Sequence, residues 1–227
     1  MVVAAAAPTG RGFPLSDIFR EIDEELRRDN LLKLWSRYGR YVVAAAVGVL
    51  LVAAGVVAWR NHQLAERRAE ATRYAGALNL AQGGKSADAA KVFAAIANEG
   101  GGYALLASLE EAGLLAKSGD RKAAIAIYDR IAATPGIEPE FHGLAVLLSV
   151  MHGMPDADPQ RTIARLAPLT GSDNPWRPTA LELTALARLK SGDKKAALDL
   201  YKGLADDLTA PRGLRARAAE MAAALAS

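Results

Sequence analysis

The chain has 227 residues, no cysteine, and a formal net charge of +3 from scattered, mostly balanced bases and acids. That excludes disulfides, thiol nucleophiles and cysteine metal sites, and it gives no electrostatic footprint for nucleic acid. Half of the composition is apolar, and much of it is concentrated in one place.

Residues 1–15 mix alanine, glycine and proline around Arg11 and read as a tail. Ser16 is placed to cap a helix from Asp17, with acids in its first turns. Ile18, Ile22 and Leu26 form an apolar stripe, and Asp23–Arg27 and Glu24–Arg28 are acid-before-base i,i+4 pairs. After Asp29-Asn30 the apolar residues Leu31, Leu32, Leu34 and Trp35 change face, so the leader, residues 16–40, is expected to turn there. It suits either the membrane interface or an ordinary exposed helix.

Residues 41–60 form the expected transmembrane helix. From Tyr41 to Trp59 there is no charged residue, no proline and no strongly polar side chain. As a helix this stretch spans about 28 Å, close to the hydrocarbon thickness of a bilayer. Trp35, Tyr38, Tyr41 and Trp59 mark its edges, and Arg37, Arg40 and Arg60 flank it. A buried core helix would carry a polar face, and this one has none. A signal peptide would be shorter, would begin nearer the N-terminus and would end in a small-x-small site. Arg27, Arg28, Lys33, Arg37 and Arg40 stand within twenty residues before the span, against Arg60, Arg67, Arg68 and Arg73, mostly farther from it, in the matching window after it. The positive-inside rule therefore places the N-terminus in the cytoplasm and the remainder outside. Within the span, Ala44 and Gly48 make one small-xxx-small step.

Residues 61–227, enough for one domain with its own core, read as helix and short turn to the end. KSGDRKAAIAIYDRIA from Lys117 recurs as KSGDKKAALDLYKGLA from Lys190, 73 residues on. A looser copy 35 residues before the first aligns Gly84, Ala89, Phe93 and Ile96 with Gly119, Ala124, Tyr128 and Ile131, and a degenerate copy around 161–169 fills the gap. This period is that of tetratricopeptide-like helix pairs. Glycine closes one helix in a left-handed conformation and aspartate opens the next. Tyr128, Tyr201 and Phe93 are expected to fill the space between pairs, and the residues from Pro211 to Ala226 to form a capping helix. The fold expected is all-α: a single N-terminal transmembrane helix followed by a tetratricopeptide-like α-solenoid.

Catalytic patterns are fragmentary. Gly84-Lys85-Ser86 resembles the end of a P-loop but has Asn79 where the first glycine belongs. Ser191 to Lys194 spells S-x-x-K and Ser172-Asp173-Asn174 spells SDN, without K-T-G. His62, His142 and His152 lack metal-site spacing. No enzyme activity, cofactor, metal, nucleic acid or small-molecule substrate is expected. Trp176 and Arg177, after the break at 171–175, are the candidate partner-binding residues, because their types dominate binding hot spots.

The leader SDIFREIDEELRRDNLLKLWSRYGRY, the span and the repeats containing KSGDRKAAIAIYDRIA together resemble the ancillary SecYEG translocon subunit (YfgM-like) family of single-pass bacterial membrane proteins, from about Ser16 onward. The resemblance implies a periplasmic repeat domain on the bacterial inner membrane, working beside the SecYEG translocon with periplasmic chaperones. The expected function is thus a membrane-anchored protein-binding scaffold. The alternative is a structural subunit of a larger envelope complex, held by its span and leader.

Overall fold

In the computed structural model, residues 15–226 are described as backbone and residues 35–226 also by their side chains. The expected tail lies outside the described residues, as do the side chains of the leader stripe. The described residues form nine α-helices and one short 3-10 turn, without strands.

Helix α1, Leu15–Gln82, runs unbroken. It starts ahead of Ser16, and the turn expected after Asn30 is absent. Aspartate and asparagine each cost a helix interior only about 0.7 kcal/mol relative to alanine, which strong helix-formers on either side offset. Every side chain from 41 to 59 is exposed, with Val49, Leu50, Leu51 and Val52 each bare to more than two thirds. This is not a buried core helix. It is a helix long and apolar enough to cross a membrane, because a bare apolar cylinder is stable in hydrocarbon and costly in water.

The chain divides after Leu64 into two units. In the second, antiparallel helices follow one another: the end of α1 with α2 (Ser86–Glu99), α3 (Ala104–Lys117) with α4 (Arg121–Ala132), α5 (Pro139–Gly153) with α6 (Pro159–Leu166), and α7 (Arg177–Lys190) with α8 (Lys194–Asp206). Helix α9 (Arg212–Ala226) packs on the last pair.

The turns inside three of these pairs share one construction. Gly84, Gly119 and Gly192 stand at φ of 79°, 95° and 86°, where a Cβ would be strained. Around Gly119, its own N–H donates to the Ala116 carbonyl at 3.2 Å and the Asp120 N–H to the Leu115 carbonyl at 2.9 Å. The same two bonds recur at Gly84 and Gly192. They are the pair that closes a Schellman motif. Asp120 then caps α4 by accepting from the Ala123 N–H at 3.1 Å, and Asp193 caps α8 by accepting from the Ala196 N–H at 3.1 Å. In the looser first copy Lys85 holds that place and makes no side-chain cap.

Burial follows the same register. Four, eight and eleven residues after the cap position, the second helix of each pair buries Ala89, Phe93 and Ile96; Ala124, Tyr128 and Ile131; Ala197, Tyr201 and Leu204. The degenerate copy obeys it too. Asp158 caps α6 through the Arg161 N–H at 2.8 Å, and Thr162, Leu166 and Leu169 are buried at the matching steps. The core is a row of four clusters, each shared by neighbouring helices only. This is the nearest-neighbour economy of a solenoid.

Candidate partner-binding surface

A stacked array has two edges, one made of the turns within pairs and one made of the loops between them. At the second edge, the first loop between pairs is tied back to α1. The Tyr103 N–H, at the start of α3, donates to Glu70 Oε1 of α1 at 2.9 Å. Gly101 passes so near that a Cβ there would lie 2.7 Å from the same oxygen. Arg73 forks onto Glu99 at 2.5 and 2.9 Å. Both side chains are about half exposed, so the pair contributes little to stability.

Between the loops after α2 and α4 lies a cleft of about 570 Å³, walled by Asn98, Leu105, Arg130, Ile137 and Glu138. On the other edge a groove of about 340 Å³ runs between α2 and α3. Its floor is Ala87, Ala90, Ala94, Leu114 and Leu115, with Lys91 and Glu111 on the rim. Burial raises the Glu111 carboxyl above the usual range, against a smaller opposing pull from Arg130. An apolar floor with sparse charge at its rim suits the side chains of another polypeptide.

Trp176 and Arg177 are neighbours at the start of α7 with different surroundings. Trp176 is half-buried over α5, where its Nε1–H donates to the Glu140 carbonyl at 2.9 Å. Its backbone N–H donates to Asn174 Oδ1 at 2.9 Å. Arg177 lines a shallow cleft with Ser172, Pro175 and Thr209 and donates to Asp207 Oδ2 at 2.7 Å. Asp207 also accepts from the Thr209 hydroxyl at 2.6 Å and the Thr209 N–H at 2.9 Å. The Thr209 bonds first, then Arg177, push its carboxyl down to about 2.

Sequence reasoning missed the ties between pairs. Asp129 of α4 accepts from Ser149 of α5 at 2.5 Å and is bridged by Arg165 of α6. Arg217 of α9 forks onto Glu182 of α7 with both contacts at 3.0 Å. No local pattern marks such pairs.

The residues that resemble catalytic motifs have structural partners. The Ser191 hydroxyl donates to the Arg188 carbonyl at 2.8 Å, Gly84-Lys85-Ser86 forms the first turn, and His152 stacks on Tyr128 at 5.8 Å. Among the described residues no group of three or more histidine, aspartate or glutamate side chains is placed to hold a metal.

No curated protein and no solved structure matches the chain. The family model described as a tetratricopeptide repeat-like domain matches residues 33–147, half of the chain, taking in the apolar span as well as the first helix pairs. With turns, caps and buried positions repeating as described above, the chain belongs to the tetratricopeptide repeat-like domain family.

Proposed function

We propose that this protein is a non-enzymatic scaffold, anchored by residues 41–60, whose repeat domain, residues 61–227, holds protein partners on the periplasmic side of a bacterial inner membrane. The observation that carries the reading is one chain joining a helix long and apolar enough to span a bilayer to an array of a protein-interaction family. The charge bias around the span favours the cytoplasmic N-terminus. The leader's resemblance to the ancillary SecYEG subunits favours the translocon and periplasmic chaperones as partners. Trp176 and Arg177 are the residues proposed to meet a partner at the edge built from the loops between pairs.

Photo-crosslinking from exposed repeat positions in intact membranes, followed by identification of the adducts, tests this. Adducts with translocon subunits or periplasmic chaperones are expected. Crosslinks confined to the span and leader, with none from the repeats, would favour the structural subunit.

A further inference from the structure

The edge made of the turns within pairs carries a charge arrangement that folding does not explain. Its turns are neighbours. Ser86 and Ser118 border the same groove. Gly153, Ala157 and Arg161 of the third turn border a cleft with Ile125 of α4. Lys190 Nζ of the fourth donates to the carbonyls of Met154, Pro155 and Ala157 at 2.9, 2.8 and 2.8 Å.

Along this edge stand Lys85, Lys117, Arg121, Lys122, Lys194 and Lys195, all exposed and none with a side-chain hydrogen bond or ion pair among the described residues. Arg121-Lys122 and Lys194-Lys195 open α4 and α8, and Lys85 takes the cap position of α2. A helix N-terminus is the positive end of the dipole, so cations there work against the helix. The cap carboxylates Asp120 and Asp193 are engaged by backbone N–H groups. Asp88 offsets Lys85 in the first turn of α2, but at α4 and α8 two cations stand against a single cap carboxylate, an excess that works against the helix and marks function more than stability. The opposite edge is richer in acids, with Glu138, Asp173 and Asp207 in its loops and Glu99, Glu140 and Asp206 at the helix ends beside them, of which Glu99 and Asp207 pair with Arg73 and Arg177.

We infer that the edge of turns within pairs is a docking surface for an acidic polypeptide segment. The inference rests on the scaffold reading and names the chemistry of one partner. The cations stand at the first, second and fourth turns, with cap carboxylates among them and Asp156 and Asp158 at the third, so they form a spaced row. A row fits an extended chain of acidic side chains better than the continuous plane of a lipid surface, and fixed cations on short turns give both steering and register.

The test uses the full chain in phosphatidylcholine nanodiscs and a fluorescein-labelled peptide of alternating glutamate and serine, with a lysine–serine peptide as control. The unaltered chain is expected to bind the acidic peptide with an affinity that falls as salt rises. The quadruple variant R121Q/K122Q/K194Q/K195Q should lose roughly tenfold or more of that affinity. Its melting temperature should be unchanged or raised, since the cations oppose the dipole. Failure of the unaltered chain to bind at low salt, or equal binding by the quadruple variant, overturns the inference. So does loss, in the quadruple variant, of binding to phosphatidylglycerol vesicles with peptide binding unaffected, which would assign the row to lipid. Membrane crosslinking of the unaltered chain separates the two readings. Protein adducts from the repeats without peptide binding overturn the basic edge alone, and absence of both overturns the scaffold with it.

Discussion

The indole of Trp176 occupies the place where a side chain on Gly143 would be: a Cβ on that glycine would lie 2.5 Å from Trp176 Cδ1 and 2.9 Å from Nε1. The loop before α7 is thereby clamped on α5, with the Glu140 carbonyl fixing the ring by its Nε1–H. Gly143→Ala should destabilise the repeat domain by about 1–3 kcal/mol through overpacking. Trp176→Ala should cost about 3 kcal/mol, the lower end for a large aromatic because the ring is half-buried. The double variant should be no less stable than Trp176→Ala, since removing the ring removes the clash. Denaturant titrations of all three check the cycle, and additive losses would mean the two residues do not share that space.

Whether Trp176 also meets a partner is a separate measurement. If it does, Trp176→Ala should lower partner capture by about 2 kcal/mol or more when capture is normalised to the folded fraction. Capture that falls only in step with folding would confine Trp176 to packing.

Tyr128 and Tyr201 are 2% and 1% exposed and stand at matching steps of α4 and α8. Alanine at either should cost about 3–4 kcal/mol. Neither hydroxyl has a hydrogen-bond partner among the described residues, and no buried side-chain polar atom is left unsatisfied. Phenylalanine at either position should therefore stay within about 0.5 kcal/mol of the parent. Thermal melts of the four single variants distinguish ring packing from hydroxyl bonding.

Much of this was legible in the sequence because the repeat is local. Glycine, aspartate and an aromatic eight residues past the cap specify turn, cap and core within one short window, and Tyr128, Tyr201 and Phe93 are buried as the repeat implied. The third pair was visible only as a degenerate copy. It reaches the next helix through Ala157-Asp158 in place of Gly-Asp, with Pro159 opening α6, and Leu166 stands where the others have an aromatic ring. The capping and packing physics survives, but the letters do not. The Trp176–Glu140 bond and the Arg165–Asp129 bridge each join residues 36 apart, so they depend on how pairs stack and leave no mark in either segment alone. The expected break after Asn30 failed for the opposite reason. Asp29 and Asn30 disfavour a helix only weakly, and the helix formers on both sides carry it through.

A reporter joined after Ser227 should be active only outside the cytoplasm, because the basic residues crowd the N-terminal side of the span. Paired phosphatase and fluorescent-protein fusions check this, and a fluorescent, cytoplasmic C-terminal fusion would reverse the orientation.

Asp207 provides a pH-dependent latch between the start of α7 and the loop after α8. Its carboxyl is held down to about 2, from an ordinary 3.8, by the two Thr209 bonds and by Arg177. The folded chain therefore releases this proton more readily than the unfolded chain does. Above about pH 4 both states are ionised and the stabilisation is fully present. As pH falls, the unfolded state takes up its proton first, and the contribution declines until the folded carboxyl is protonated near pH 2. Asp207→Asn should lower the melting temperature at pH 7, and the gap between it and the parent should narrow between pH 4 and pH 2. Arg177→Ala should lose less than Asp207→Asn, since the Thr209 bonds, the larger influence on the carboxylate, remain. Melting curves across that pH window decide the matter: a gap that stays constant down to pH 2 would show that the carboxylate's charge contributes nothing to holding α7 against the loop.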